Sequence, residues 1–260
     1  MDLQEPVRIA AISDIHSNLL ALQAVWEDLQ KHSPDLVVCL GDHLWGSLQP
    51  RLVADFLMEH GVLCISGNQD RSIHSPTEQE KASADFAFLH SELSEHHLQW
   101  LLEMPATLNL PGVLLCHGTP TSDTTYLLET VTEHGVRLAS EAEILQRLDH
   151  ETAPLVLCGH SHVARVVQAG NQLIVNPGSV GIPAYDDDVP YPHVMESGSP
   201  HARYALLSRT GSGWSVSLQN VVYDWEVTAQ TAALRGRSDR ACWIRTGRVE
   251  PFNFTQNHLQ

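Results

Sequence analysis

The chain has 260 residues, of which 43% are hydrophobic, so it is long enough to bury one sizeable core or two small ones. It carries 15 Lys and Arg against 31 Asp and Glu, and the formal net charge of −16 at pH 7 excludes the positive surface that duplex nucleic acid or an anionic membrane requires. No apolar run approaches the length of about 18 residues that a membrane span needs.

Short apolar runs alternate with segments of helical periodicity in the first part of the chain. Strands are predicted at residues 7–12, 36–40, 62–66, 113–116 and 155–158. Helices are predicted at residues 18–32, 50–60, 75–103, 123–134 and 140–149, the third of them in two pieces. The last begins with a capping box formed by Ser140 and Glu143. This alternation indicates an α/β protein with a largely parallel or mixed sheet.

The second part of the chain has a different pattern. Strands are predicted at residues 163–168, 172–175, 203–208 and 214–222, with turn signals and little helix between them. They are expected to form a second, more antiparallel sheet that packs on the first. No linker-like stretch divides the two parts, so residues 1–260 are predicted to form a single domain with a C-terminal extension at 223–260.

Residues 183–201 are rich in Pro and Asp and are predicted to form a loop inserted in this domain. A loop of this length inside a compact domain is usually functional or disordered. It either frames a substrate pocket or an oligomer contact, or it is a solvated acidic loop, and the sequence favours neither. The polar residues concerned are Asp186, Asp187, Asp188, His193, Glu196, His201 and Arg203.

The five cysteines indicate a reducing compartment, and the expected location is the cytoplasm. Their number is odd, no Cys-x-x-Cys pair occurs, and the first 12 residues carry acidic side chains where a secretory segment would be apolar. Four of them precede the motifs described next by one to four residues: Cys39, Cys64, Cys116 and Cys158. A thiolate cluster is one interpretation, but small buried side chains of inner strands are the favoured one.

Residues typical of metal ligands follow each of the first five predicted strands. In strand order the motifs are Asp14-Ile15-His16, Gly41-Asp42, Gly67-Asn68-Gln69-Asp70, His117-Gly118 and Gly159-His160-Ser161-His162. In open α/β sheets, ligands bind outside the carboxyl ends of the strands, so these side chains are expected at one rim. Each motif alone is more simply a turn. Five of them in order, each directly after an apolar run, predict a metal site.

This order of motifs resembles the calcineurin-like metallophosphoesterase superfamily. The likeness is to its small bacterial and archaeal branch, because residues 175–181, Val-Asn-Pro-Gly-Ser-Val-Gly, are similar to the segment that follows the last metal motif there. The resemblance covers residues 7–182 and leaves 183–260 unexplained. It implies a four-layer αββα sandwich of two mixed β-sheets flanked by helices, with a dinuclear metal centre between the loops of the two sheets.

The resemblance also implies which residues bind metal. Asp14, His16 and His162 would hold one ion, Asn68, His117 and His160 a second, and Asp42 would bridge the two. Two divalent cations about 3.5–4 Å apart can share a carboxylate and a hydroxide that attacks phosphorus. Mixed nitrogen and oxygen ligation suits Mn²⁺, Fe, Zn²⁺, Co²⁺ or Ni²⁺, and Mn²⁺ is the first expectation.

One position departs from the superfamily pattern. Many members have His where this chain has Gln69, and that His is thought to protonate the leaving group or orient the substrate. An amide can form hydrogen bonds but cannot act as a general acid. His74 is the nearest replacement in sequence, and the other candidates are His43, His193 and His201. Arg71, next to the motif, is either a phosphate clamp or a plain surface ion pair.

The sequence therefore predicts an enzyme, a metal-dependent phosphatase or phosphodiesterase in which a hydroxide bridging two metal ions attacks a phosphoester or phosphoanhydride. Small phosphoesters, nucleotides and phosphoproteins all remain open as substrates, as does a homo-oligomer. The alternative is a non-catalytic protein-interaction scaffold on the same fold, whose usual mark is the loss of metal ligands. All seven ligand positions are filled here, and a nuclease is disfavoured by the acidic charge balance.

Overall fold

The computed structural model describes residues 7–249, so part of the predicted C-terminal extension lies outside the described residues. The strands are β1 (Arg8–Ile12), β2 (Leu36–Cys39), β3 (Leu63–Cys64), β4 (Thr107–Leu110), β5 (Val113–Cys116), β6 (Glu129–Thr132), β7 (Gly135–Leu138), β8 (Leu155–Leu157), β9 (Arg165–Ala169), β10 (Gln172–Asn176), β11 (Ala184–Asp187), β12 (His193–Glu196), β13 (Ala202–Thr210) and β14 (Gly213–Val221). The helices are α1 (Leu19–Gln30), α2 (Pro50–Glu59), α3 (Asn68–His74), α4 (Glu78–Lys81), α5 (Ala84–Glu92), α6 (Glu95–Leu102), α7 (Glu141–Arg147), α8 (Trp225–Leu234) and α9 (Ser238–Thr246).

Two five-stranded mixed sheets form the centre of the fold. The first has the order β14-β13-β1-β2-β3, in which β1, β2 and β3 are parallel and β13 and β14 are antiparallel to their neighbours. The second has the order β4-β5-β8-β10-β9, with β5, β8 and β10 parallel and an antiparallel strand at each edge. In each sheet, therefore, the parallel strands end at the same edge.

The core is arranged in layers, as expected for four-layer packing. Side chains from both sheets share one buried cluster, in which Ile9 and Val38 of the first sheet join Val113 and Leu157 of the second. The outer face of the first sheet packs on α1, α2 and the helices after β3, and the outer face of the second packs on α7. The predicted αββα sandwich of two mixed sheets is confirmed. Within residues 7–249, no helix is both long and apolar enough to span a bilayer.

The assignment of strands to sheets differs from the prediction. The strands after residue 163 do not form a sheet of their own, because β9 and β10 extend the second sheet while β13 pairs with β1 in the first. As a result, the five strands that carry the ligand motifs are divided, with β1, β2 and β3 in one sheet and β5 and β8 in the other. This pairing joins strands distant in sequence, which local patterns do not reveal.

The predicted helix at residues 123–134 is wrong. In its place β6 and β7 form a hairpin, in which the β-branched residues Thr130, Val131 and Thr132 pair with β7 and Gly135 turns the chain at a φ of 114°. The region 75–103 contains three helices, where two pieces were expected, because Ser83 and Ser94 each begin a new helix as its N-cap. The predicted capping box at the start of α7 is confirmed.

The predicted loop at 183–201 is also largely wrong, since its ordered centre is an antiparallel hairpin of β11 and β12. Ala184 pairs with Glu196, and Asp187 pairs with His193. The alternation is that of a half-buried strand, with His193 and Met195 buried and their neighbours exposed. Asp188, Pro190 and Pro192 lie in the turn between the two strands, where they do not oppose pairing, whereas Asp186 and Asp187 belong to β11 itself.

The last two helices, α8 and α9, pack on each other and on the loops that follow β2 and β10. Ala229 and Ile244 share a buried cluster with Leu48, and Trp243 packs with Ile182 and Ala184. The C-terminal region is therefore an integral wall of the fold at the edge where the parallel strands end.

Asp70, the last residue of the third motif, joins the turn after β2 to the start of α3. Its buried carboxylate accepts hydrogen bonds from the backbone N–H groups of Asp42 (2.7 Å), His43 (3.0 Å) and Gly67 (2.9 Å). It also contacts Nδ1 of His43 at 2.8 Å. Burial alone would lower the pKa of His43, but Asp70 raises it well above its usual value, so the two form a buried ion pair.

We expect Asp70→Asn to lower the free energy of unfolding by about 3–5 kcal/mol, because it removes one charge of a buried ion pair and turns an amide N–H₂ toward backbone donors. The measurement is chemical denaturation followed by circular dichroism. The control is Asp149→Asn, an exposed position, where the change should stay within about 0.5 kcal/mol. Equal stability of the two variants would contradict this role of Asp70.

Candidate metal centre

The loops after β1, β2, β5, β8 and β10 meet at the edge where the parallel strands end. Backbone hydrogen bonds connect them, from Asp14 N to Gly41 O at 3.0 Å and from His16 N to Asp42 O at 3.0 Å. The first of these loops is also bonded to the other sheet, because Gly181 N donates to Asp14 O at 3.0 Å. The predicted ligand motifs of the two sheets therefore face each other across one shared edge.

The backbone at these motifs is unusual. Six residues of or next to the predicted ligand set, none of them glycine, have left-handed conformations: Asp14 (φ 55°), His16 (φ 47°), Ser17 (φ 58°), Asp42 (φ 56°), His160 (φ 67°) and His162 (φ 58°). Such conformations are costly for residues with a Cβ and cluster at functional sites. Here they turn the chain sharply at the strand ends, so that alternate side chains point into the space between the loops.

The first group of converging ligand atoms belongs to Asp14, His16 and His162. The Nε2 atoms of His16 and His162 are 3.0 Å apart, and Oδ1 of Asp14 lies 3.3 Å from the Nε2 of His162 and 3.9 Å from that of His16. All three side chains are buried, and Asp14 Oδ1 has no hydrogen-bond partner.

The contacts of the ring nitrogens that face away from this group determine which nitrogens can bind a metal ion. Nδ1 of His16 lies 3.2 Å from the carbonyl oxygen of Trp45, and Nδ1 of His162 lies 2.7 Å from that of Ile182. A nitrogen facing a carbonyl oxygen carries the proton, so in the neutral rings both Nε2 atoms present lone pairs. Two lone pairs and an unpartnered carboxylate oxygen in contact repel one another unless a cation lies among them, so these residues fit a metal ion.

The second group consists of Asp42, His117 and His160, with Asn68 beside it. Nε2 of His117 is 3.0 Å from Oδ1 of Asn68 and 3.5 Å from Oδ2 of Asp42. Nδ1 of His117 lies 2.7 Å from the carbonyl oxygen of Leu40 and donates to it. Nε2 is therefore the ring nitrogen that faces the oxygens of Asn68 and Asp42. The Nε2 of His160 is bonded to a backbone carbonyl, which leaves its Nδ1 for the group. This donor set fits a second cation.

The two carboxylates of the groups are held as anions. Burial alone would raise the pKa of Asp14, but His162 lowers it to about 2. Burial opposes ionisation of Asp42 in the same way, and His117 lowers its pKa well below its usual value. Both side chains are therefore available as anionic ligands at neutral pH.

The pKa values of the histidines in the two groups are shifted in different directions. Burial, reinforced by His162, lowers the pKa of His16 to about 4, and burial with His117 nearby lowers the pKa of His160 to about 4. Burial would lower the pKa of His117 as well, but Asp42 raises it to about 10. The neutral rings of His16 and His160 can each donate a lone pair to a metal ion. At His117 the carboxylates favour a positive charge, and a metal ion bound there would supply it.

Asn68 and Gln69 begin α3 beside the second group. The N–H of Gln69 donates to Oδ1 of Asp42 at 2.9 Å, so the helix start fixes this carboxylate. Both residues line a cavity of about 230 Å³ together with His16, His160 and other residues. The Oε1 atom of Gln69 is buried without a hydrogen-bond partner among the described residues.

Two further predicted residues lie away from these cavities. The guanidinium of Arg71 is half-exposed and paired with Asp123, at 2.6 Å from Nε and 3.1 Å from Nη2. His74 lies at the end of α3 with a buried Nε2 that has no partner. Neither is among the residues that line the cavities at Asn68. The ion-pair interpretation of Arg71 is therefore the one that its contacts support.

A second cavity, of about 630 Å³, adjoins the first and shares Asn68, His160 and Asp187 with it. Its walls include Tyr126, which stacks on His160 with 4.7 Å between ring centroids. Tyr185 of β11 lies edge-on to His162 and contacts Tyr126 through the hydroxyls at 2.9 Å. No sequence pattern pointed to these tyrosines, because they lie outside the ligand motifs.

The four cysteines next to the motifs are buried and unpaired, as the favoured interpretation predicts: Cys39, Cys64, Cys116 and Cys158. Burial raises the pKa of the Cys116 thiol to about 12, and those of Cys39 and Cys158 are raised well above their usual value. Protonated thiols of this kind are small core side chains and poor metal ligands.

Comparison with known proteins agrees with this geometry. A family model described as the calcineurin-like phosphoesterase superfamily domain matches residues 7–195. The chain is 27% identical over 205 residues to the uncharacterized protein MJ0912 of Methanocaldococcus jannaschii, an alignment that covers 67% of this chain and 76% of that protein.

Two solved structures have a similar fold. A metallophosphoesterase from Sphaerobacter thermophilus matches with a TM-score of 0.72 and 21% identity, covering 94% of this chain and 100% of that chain. The hypothetical protein PH1004 from Pyrococcus horikoshii OT3 matches with a TM-score of 0.71 and 15% identity, covering 94% and 99%. With the family match over most of its length and two His/Asp groups suited to metal, the chain belongs to the calcineurin-like phosphoesterase superfamily.

Proposed function

We propose that this protein is a dinuclear metal-dependent phosphoesterase. Asp14, His16 and His162 would hold one divalent cation, Asn68, His117 and His160 would hold a second, and Asp42 would be shared between them. The observation that carries the proposal is the first group, where two Nε2 lone pairs and an unpartnered carboxylate oxygen meet within 4 Å. A cation among the three atoms makes that contact favourable, and burial keeps His16 unprotonated near neutral pH.

The cations, when bound, supply Lewis acidity, a hydroxide at neutral pH and neutralisation of phosphoryl charge. The chain's own part is to hold the ligands in place. The carbonyl oxygens of Leu40 and Ile182 fix the rings of His117 and His162, and the start of α3 fixes Asp42 through the N–H of Gln69. Such partners orient ligands and raise their basicity. Mn²⁺ is our first choice of metal, on the mixed nitrogen and oxygen ligation.

Gln69 limits the leaving groups that the site can expel. Its amide lies at the cavity beside Asn68 and can hydrogen-bond to a phosphoryl oxygen, but it has no proton to give to a leaving group. General acid catalysis typically contributes about 10²–10⁴-fold. We therefore propose that the natural substrate has a leaving group that departs without protonation, as the phosphate of a phosphoanhydride or an aryl oxygen does.

The alternative, a non-catalytic scaffold, is opposed by the completeness of the ligand set. All seven predicted ligand residues are present, and six of them form the two converging groups. A scaffold has no need of buried, left-handed ligand residues, whose backbone strain requires compensation elsewhere. The cytoplasmic location stays a prediction that depends on the cysteines, and an oligomeric state is not proposed.

The first expectation concerns metal content. Protein purified without chelator should contain about two transition-metal ions per chain by elemental analysis, because two separate groups of ligands converge. The variant His16→Ala should lose about one of them, whereas His134→Ala, at an exposed histidine, should lose none. Metal-free protein that gains no phosphoesterase activity on addition of Mn²⁺ would contradict the proposal.

The second expectation concerns the bridge. Asp42→Asn should keep less than about a tenth of the wild-type kcat, because a neutral amide holds two cations far less well than a carboxylate does. Circular dichroism should show an unchanged fold. The control is Asp188→Asn, an exposed residue in the turn between β11 and β12, which should retain its activity. If Asp42→Asn retained more than a tenth of the wild-type kcat, the proposal that Asp42 bridges the two cations would be contradicted.

The third expectation concerns the leaving group. With Gln69 in place of an acid, rates should depend steeply on the leaving-group pKa, and nitrophenyl phosphoesters should be hydrolysed far faster than alkyl ones. Gln69→His should accelerate the alkyl esters selectively. The measurement is a series of phosphoesters of graded leaving-group pKa with wild type, Gln69→His and His74→Ala. A shallow dependence in wild type that becomes steep in His74→Ala would instead identify His74 as the acid.

A further inference from the structure

Helix α9 contributes a wall of the first cavity, although it lies outside the residues that the family model matches. Three of its side chains line the cavity together with His16 and His162: Arg237, Arg240 and Trp243. The first is the N-cap of α9, and the three are spaced by three residues, which places them on one side of the helix.

The two arginines are paired very differently. Arg237 contacts Asp239 through three hydrogen bonds and also pairs closely with Asp85 of α5. Arg240 is only 7% exposed, and its one ion pair within residues 7–249 is a contact of 3.2 Å from Nη2 to the same Asp85. Its Nε and Nη1 atoms are buried and have no hydrogen-bond partner. Burial lowers its pKa to about 10, which still leaves the guanidinium charged at neutral pH.

A buried guanidinium with unpartnered donors is costly, and a second anion relieves that cost. Asp85 is already held by Arg237, so Arg240 can turn from it toward a ligand without leaving a buried carboxylate unpaired. Arginine suits this role, because its planar fork of donors matches phosphate oxygens.

Arg240 lies beside the group of candidate metal ligands that contains His16. Its Nη1 lies 3.1 Å from the point that a Cβ on Gly46 would occupy, and that same point is 2.7 Å from the carbonyl oxygen of His16. Arg240 thus flanks the group that contains His16, and Asp42 and His160 of the other group line the same cavity. Asp186 and Asp187 line the remaining part of the first cavity and would repel an anion there.

From these contacts we infer that Arg240 binds a second phosphate group of the substrate, one joined to the phosphate under attack. The substrate class is then a phosphoanhydride or another compound with two neighbouring phosphates, such as a nucleoside diphosphate. This inference depends on the proposed function, since the reacting phosphate is placed by the metal ligands. Arg237 is a positioning residue that holds Asp85 when Arg240 engages the ligand.

The test compares the binding of two ligands that the protein cannot hydrolyse, inorganic phosphate and imidodiphosphate, by calorimetry with Mn²⁺ present throughout. The proteins are wild type, Arg240→Gln, Arg240→Lys and Arg245→Gln. Arg245 is the matched control, because it is a half-buried arginine of the same helix that pairs with Glu226 and does not line the cavity.

For Arg240→Gln we expect the loss of affinity for imidodiphosphate to exceed the loss for phosphate by about tenfold or more. Arg240→Lys, which keeps the charge without the fork, should show an intermediate loss, and it serves as the test if Arg240→Gln does not fold. Arg245→Gln should bind both ligands as wild type does.

Equal losses for the two ligands would overturn the inference, since Arg240 would then contact the reacting phosphate or none. An equal effect of Arg245→Gln, or a wild type that binds neither ligand, would overturn it as well. Hydrolysis of nitrophenyl phosphate by the wild type is measured in parallel. Failure of that reaction counts against the proposed function, whereas the binding comparison decides the role of Arg240.

Discussion

The structure of the site depends on how the loop after β1 is hydrogen-bonded to both sheets. On one side it pairs with the turn after β2, and on the other Val180 and Gly181 donate to the carbonyl oxygens of Ser13 and Asp14. A side chain at Gly181 would collide with the carbonyl oxygen of Ile15, so only glycine permits this approach. This link, together with the contact of His117 Nδ1 with Leu40 O, brings the ligands of the two sheets to one shared edge.

The loops that carry the candidate ligands contain several features that are unfavourable in free energy. Left-handed backbone at ligand residues, buried carboxylates and imidazole lone pairs in contact are each unfavourable alone. They persist because the layers around them are fully packed and because Asp70 satisfies three backbone N–H groups at once. A cation at each group would convert these repulsions into ligation, so the strain is explained by the ligand that the site is built to hold.

The C-terminal helices add what the family motifs do not. The family match ends at residue 195, yet α9 closes the cavity and places a buried arginine beside the first group. The part of the chain that the family model matches thus carries the candidate metal ligands, and the part beyond it contributes a wall of the cavity. This division follows the general rule that a site is adapted by the elements around it while its scaffold is kept.

The sequence alone determined the ligand motifs and the ends of the strands that carry them. Each motif follows its apolar run directly, and both features are local, so Asp14, Asp42 and His117 could be found without coordinates. Local pattern misled at residues 123–134, where helical spacing occurs in a hairpin, and at 183–201, where proline and aspartate conceal a second one. In both places pairing between strands outweighs local propensity.

Only the tertiary structure decided which strands share a sheet, that Arg71 pairs with Asp123, and that Arg240 reaches the cavity. Nothing in the spacing connects Arg240 with His16, since the cavity that both residues line joins parts of the chain that are far apart in sequence. Ligands at strand ends can be read from the sequence because the chain direction fixes where a strand ends. Partners that meet across layers cannot, because their proximity results from the packing of the whole domain.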